Sequence, residues 1–275
     1  VDARGPLRRA VLFLAAGTVL AGLVGWLLVE NFRTAAARRA DVLRQHAAHL
    51  SFQAQTVAHV LDSAERALRQ VGDSGEVEGF LRNLDLGMSE ASGLSLARGA
   101  VRDRLAALAS TARQGGEPLF ERAALLDERG GELASAAPEG DSRAVAWVDL
   151  VGEQDGISLS PDGTRVVAVR SLLRNGKSVG FLAGWLDVRA LAGALSYETR
   201  RGNDPLRAQL ADDSGRSYRP SGIPLAPVLP PGALAVPADG VAVPLAGVQP
   251  RDGGTVLIAR VRIPGRSLSL VRVVP

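Results

Sequence analysis

Cysteine is absent from the 275 residues, so no disulfide staples the fold, no thiol can act as a nucleophile and no thiolate can hold a metal. Lysine occurs once, at Lys177, which makes arginine 31 of the 32 basic residues. Acidic residues are interspersed among them and the net charge is only +3, so composition gives no footprint for a nucleic-acid partner. Histidine is confined to His46, His49 and His59, all upstream of every strand signal, which excludes a Ser-His-Asp triad near the sheets. His46 and His49 are three apart, but Asp41, Asp62 and Glu65 are too scattered to complete a metal site with them. His-Glu-x-x-His and Gly-x-Ser-x-Gly are missing. Gly176-Lys177-Ser178 imitates the end of a phosphate-binding loop, yet Ser171 stands where that loop needs its first glycine. No catalytic constellation remains, and neither enzyme activity nor a cofactor or metal is expected of this segment.

Against these absences stands one long apolar run. Ala10 to Val29 carries no charge, and at about 1.5 Å per residue it spans roughly 30 Å, the thickness of a bilayer core. Arg4, Arg8 and Arg9 precede it and Glu30 follows, which places the N-terminus in the cytoplasm by the positive-inside rule. The expectation is a signal anchor in a bacterial inner membrane with the remainder outside, in the periplasm. The rival is a cleaved signal peptide, for which Ala35-Ala36-Ala37 would be the small-residue site, although the run exceeds the usual h-region. The chain reads as a segment of a longer protein.

From Asn31 to Val71 there is no Pro and no Gly, and good helix formers dominate, so one long helix is expected. Leu43, Leu50, Val57, Ala64 and Val71 repeat by seven, as do Ala47, Ala54, Leu61 and Leu68. This seam packs either on the chain's own domain or on a second copy in a parallel stalk, or on each along different portions. Gly17, Ala21 and Gly25 form a small-xxx-small face that permits close helix approach in the membrane. Gly72-Asp73-Ser74-Gly75 ends the helix.

Glu76 to Gln114 continues in helical pattern, interrupted around Gly87 and Gly93. Strands then begin. Phe120–Asp127 and Glu132–Ser135 read as one hairpin, and Thr164–Leu172 with Ser178–Leu186 as another, whose Asn175-Gly176 turn is the strongest short hairpin signal. Ser142–Val151 reads as a short helix or ordered loop, and Asp187–Leu195 as a helix leaving the sheet. After a proline-rich interval a smaller set of strands is expected at Leu206–Ala211, Val241–Val248, Thr255–Val261 and Ser267–Val274, the last two joined by Pro264-Gly265. The fold class is α+β: a long N-terminal helix followed by two antiparallel sheets.

In this order of elements the chain resembles the extracytoplasmic double Cache (PAS-like) sensor domains of bacterial transmembrane receptors. Ala123–Ser135 is similar to their first hairpin, Val166–Leu191 to their last hairpin with Asp187 opening the exit helix, and Asp252–Pro275 to the end of the membrane-proximal module. The resemblance implies a cytoplasmic tail at residues 1–9, a transmembrane helix at 10–29, a stalk helix at 30–73, a distal module at 74–195 and a smaller proximal one at 196–275. Phe80, Asn83, Leu86, Gly87, Met88, Ser89, Gly93 and Leu94 match a segment of membrane sensor histidine kinases, which points the output towards a histidine kinase of a two-component system. A diguanylate cyclase and a chemoreceptor are the alternatives. The sequence departs from the amino-acid-binding subgroup, whose motif orders Tyr, Arg and Trp-Tyr, because Ser142–Trp147 offers Arg and Trp only.

A ligand pocket is expected between the distal sheet and the segment covering it, where Arg143, Trp147, Arg170, Trp185 and Asp187 converge; arginines there favour a carboxylate or other small organic anion. The structural alternative makes both tryptophans core residues and Asp187 a helix N-cap. The expected partners are that small molecule, the membrane, and a second copy through the stalk and transmembrane helices. A membrane-anchored interaction protein without a small ligand is the rival function, and a secreted binding protein the third.

Overall fold

The computed structural model describes residues 4–136, 147, 155–195, 208–213, 216–218 and 257–274. The chain divides into two compact units, Val1–His46 and Ala47–Pro275. Helix α1 runs from Arg4 to Gly72, with Pro6 in the first turn, where its missing N–H has no intrahelical partner to lose. In the N-terminal unit the residues from Gly17 to Arg38 are exposed, and α1 is long and apolar enough to cross a membrane.

In the second unit the heptad seam is buried. Leu50, Ala54, Val57, Leu61, Ala64, Leu68 and Val71 are each no more than 3% exposed, and all belong to one core with the strands described below. Burying each of the larger side chains contributes about 1.5–3 kcal/mol. From Leu50 to Val71 this face therefore serves the chain's own domain and is closed to a second copy. Helix α2 spans Gly75–Asp85, and a short 3-10 turn at Glu90–Ser92 is capped by Ser89, whose Oγ accepts from the Ser92 N–H at 3.2 Å. Helix α3 follows at Leu94–Thr111. The helical expectation up to Gln114 fails at its last residues. Gly115 and Gly116 take positive φ and fold β1 (Arg113–Gln114) onto β2 (Glu117–Pro118) as a small ribbon.

The main sheet contains β3 (Phe120–Leu126), β4 (Glu132–Ala136), β5 (Gly156–Leu159), β6 (Val166–Arg174) and β7 (Lys177–Leu186). Its order is β4-β3-β7-β6-β5, and every pair is antiparallel. Asn175 and Gly176 turn the β6–β7 hairpin with φ of 51° and 76°, the left-handed pair that the twist of a hairpin demands. Leu125, Ala168, Leu182 and Leu186 face the core with α1 and α3. Gly184 lies on the same side, and a Cβ there would stand 2.7 Å from the Phe120 ring and 3.4 Å from Leu68, so its missing side chain lets helix and sheet close together.

After β7, α4 spans Val188–Leu195. The smaller sheet holds β8 (Gln209–Asp212), β9 (Leu257–Arg262) and β10 (Leu268–Val274) in the order β8-β10-β9. Three of the four expected strands are thus present, while Val241–Val248 lies outside the described residues, as does Ser142–Val151 except for Trp147. Val261, Ile263, Leu268 and Leu270 join the core that contains α1. Two arginines fasten this sheet to the helix. Arg266 donates to Glu65 and, at 2.5 Å, to Asp62; desolvation by burial pulls its guanidinium pKa down, but the bonds to the two carboxylates outweigh it and leave the pKa raised. Arg272, 1% exposed, donates to the Gln53 side chain at 2.6 Å.

Candidate functional site

Successive strand residues point to opposite faces, and this parity sorts the expected site residues. Trp185 pairs with Val167 across β7 and β6, on the side away from α1. A second apolar cluster forms there from Ala124, Leu126, Val167, Val169, Ala183 and the two tryptophans, Trp147 and Trp185, with Phe181 at its edge. The Trp147 and Trp185 ring centroids are 4.8 Å apart at an interplanar angle of 35°. The Arg165 guanidinium carbon lies 3.6 Å from the Trp185 ring centroid, a cation–π stack.

Polar groups complete this face. The Trp147 Nε1–H donates to Glu132 Oε2 at 2.9 Å, and the same oxygen meets Arg122 Nη2 at 3.4 Å. Ser135 donates to the other Glu132 oxygen. Arg122 is 8% exposed, so its charge is held in a largely dry setting, where a carboxylate partner is needed. The backbone of Arg165 is held by the turn that precedes it, its N–H donating to the Ser160 hydroxyl oxygen at 3.0 Å. Asp162 accepts from the Ser160 hydroxyl at 2.6 Å, the Thr164 hydroxyl at 2.7 Å and the Thr164 N–H at 3.0 Å. These bonds, with Ser160 foremost, hold the Asp162 carboxyl at a pKa of about 2.

Of the five residues expected to converge, the structure brings together Trp147 and Trp185. Arg170 pairs with Leu182 and points to the helix side, because three residues separate it from Val167 and an odd interval reverses the face. It donates to Asp73 at 3.1 Å and lines a cleft of about 470 Å³ with Gly72, Asp73, Glu78, Asp155 and Arg174. Asp187 is buried at the end of β7 and acts as the cap of α4: its Oδ1 accepts the Arg189 N–H at 2.8 Å. It also pairs with the Arg189 guanidinium at 2.7 Å, and those bonds to Asp187 raise the Arg189 pKa. Arg143 lies outside the described residues. Arg165, Glu132 and Arg122 were not among the expected residues. Arg165 was findable, since it shares the parity of Val167 and Val169; Glu132 carries no local signal, because its role depends on Trp147 fifteen residues away.

Two buried indoles, two guanidinium groups and one carboxylate meet on this sheet face. Such a set suits recognition of a small polar molecule by stacking and charge. Among the described residues no group of three His, Cys, Asp or Glu side chains is placed to hold a metal ion.

No family model matches the chain, and no curated protein does. Solved structures do. The sensor domain of the Vibrio cholerae histidine kinase DctB superposes with a TM-score of 0.54 at 12% identity, covering 86% of this chain and 98% of that one. The ligand-binding domain of the Pseudomonas fluorescens chemoreceptor CtaA, solved with L-isoleucine, gives 0.53 at 18% identity, covering 87% and 94%. A domain of a sensory box/GGDEF family protein from Vibrio parahaemolyticus gives 0.50 at 14% identity, covering 85% and 96%. The fold is therefore shared, over most of the chain, with domains of a histidine kinase, a chemoreceptor and a GGDEF-family protein.

Proposed function

We propose that this chain is the extracytoplasmic ligand-sensing module of a membrane-anchored bacterial receptor. The observation that carries the reading is the outer face of the five-stranded sheet, where Trp147, Trp185, Arg165, Arg122 and Glu132 form one connected group on a sensor fold. Its two guanidinium groups favour a small organic anion, stacked on or displacing the tryptophans. Arg143, from the segment that follows β4, is assigned to the same site. Arg170 and Asp187 are assigned structural roles instead, as the partners of Asp73 and Arg189. The segment performs no chemistry of its own. Residues 74–195 form the distal module that captures the ligand, and residues 196–275 the proximal one.

The Phe80 to Leu94 match favours a histidine kinase as the output. Ligand binding changes the output only if the ligand prefers one of two arrangements of the module. The test is a thermal-shift screen of the detergent-solubilised full chain against small organic acids, amines and nucleobases. A ligand at a hundred times its Kd stabilises by about 2.7 kcal/mol. Saturable stabilisation by an organic acid that disappears in Arg165→Gln supports the reading. A folded protein that responds to none of the panel returns the weight to an anchored interaction protein.

A further inference from the structure

Three donors meet the Glu132 carboxylate. Its Oε2 accepts from the Trp147 indole N–H at 2.9 Å and faces Arg122 Nη2 at 3.4 Å, and its Oε1 accepts from the Ser135 hydroxyl. Strand parity explains the convergence: Glu132 pairs with Leu126, Ser135 with Ala124 and Arg122 with Trp185, and those partners all belong to the outer apolar cluster. Donors and acceptor differ in their access to water. Trp147 is 1% exposed, and the Arg122 side chain is 10% exposed against 34% for that of Glu132. Glu132 is also the first residue of β4, an edge strand bonded to β3 alone, and the β3–β4 register shifts beside it, between Leu125 and Leu126. An indole N–H, a guanidinium and a hydroxyl on one face make a cradle for a carboxylate. The carboxylate that fills it is rooted at the rim.

We infer that Glu132 is a tethered stand-in for the carboxylate of the ligand: it fills the cradle while the module is empty and swings into water when an entering acid supplies its own carboxylate. The inference rests on the ligand-sensing reading of this face, and it names the ligand class, a small carboxylic acid, and the resting occupant. An empty cradle would leave the Arg122 charge buried without a counter-charge, which a folded protein tolerates poorly. A carboxylate lent by the chain removes that penalty. Within the group Glu132 is the member free to leave, since Trp147 and Arg122 are buried and Glu132 has water beside it. Exchanging one carboxylate for another keeps every donor satisfied, so no buried group is orphaned during replacement. An amine or an amide cannot neutralise Arg122 and leaves Glu132 in place. The in and out positions of Glu132 are then two arrangements of this sheet edge between which a ligand selects.

Glu132→Ala empties the cradle, and acetate replaces the atoms that the substitution removes. The detergent-solubilised full chain is melted in sodium acetate and, at matched ionic strength, in sodium chloride, followed by tryptophan fluorescence. Glu132→Ala should melt lower than the unsubstituted protein, and acetate should recover at least about half of that loss, saturably. Half-saturation should need at least about tenfold more acetate in the unsubstituted protein, whose tethered carboxylate competes for the cradle. Adding Arg122→Gln to Glu132→Ala should abolish the recovery. Glu132→Gln keeps the side chain's volume and its bond from Trp147, so it serves even where Glu132→Ala fails to fold; its amide does not neutralise Arg122, and acetate should stabilise it too. No acetate response in either variant, the same response in the unsubstituted protein, or a recovery that survives Arg122→Gln would each overturn the inference. The ligand-sensing reading is tested apart from this by the organic-acid panel. An acid that stabilises the unsubstituted protein should bind Glu132→Ala at least about tenfold more tightly; equal affinity overturns the stand-in and leaves the sensing reading intact. Acetate recovery without any acid that binds the unsubstituted protein upholds the cradle and refutes the sensing reading.

Discussion

The two faces of the five-stranded sheet are built from the same strands and filled by different kinds of side chain. The face towards α1 is filled by Leu125, Ala168, Leu182 and Leu186, with Gly184 under the Phe120 ring. The face away from it carries Trp147, Trp185 and Phe181 with charged neighbours at Arg122, Glu132 and Arg165. Aliphatic side chains of matched volume are what a permanent helix–sheet joint requires. Aromatic rings with charged neighbours are a poorer filler and a better receptor, because stacking and cation–π contacts can be exchanged for those of a ligand. On the proposed reading, stability and recognition are separated by strand parity, one residue apart.

That separation can be broken on one side at a time. Leu182→Ala opens a cavity on the helix face and should cost about 2–5 kcal/mol of unfolding free energy, measured by urea denaturation, while leaving the affinity for a ligand of the outer face unchanged. Trp185→Phe keeps an aromatic ring but removes the indole; a loss of about 1–2 kcal/mol is expected, together with loss of ligand stabilisation in thermal shift. Arg165→Gln should cost no more than about 1 kcal/mol and still abolish an anion's effect, so a large stability loss with an unchanged ligand response would reverse the assignment of the two faces. The smallest effect belongs to Asp162. Its folded pKa of about 2 lies below the ordinary value of 3.8, so its contribution is complete above about pH 4 and is lost as pH falls towards 2. The group is exposed, so solvent screening limits that contribution to less than about 1 kcal/mol. Asp162→Asn should flatten this part of the acid-denaturation curve, followed by tryptophan fluorescence.

Elements with local signals were legible in the sequence. The Asn175-Gly176 turn, the run from Asn31 to Val71 and the Pro264-Gly265 turn each fix their surroundings through neighbouring residues, and the structure has β6–β7, α1 and β9–β10 there. Strand β5 was not foreseen, since Gly156-Ile157-Ser158-Leu159 is too short to show a period and becomes a strand by pairing with β6. The proposed site was half legible. Trp147 and Trp185 announce themselves by size, but Arg170 and Arg165 are indistinguishable until the register assigns each to a face. Asp187 was readable both as ligand contact and as helix cap, and its bond to the Arg189 N–H selects the cap.

The fastening of the small sheet to α1 has a mechanical meaning. Arg272 grips Gln53 and Arg266 grips Asp62 and Glu65, points separated by about 14–18 Å along the axis at 1.5 Å per residue. Glu65 is twelve residues beyond Gln53, which sets the two grips about a third of a turn apart in azimuth. A rod held at one azimuth can roll beneath its clamp, but one held at two cannot roll without opening one of them. Torsion applied to this length of helix therefore loads the sheet through both grips at once.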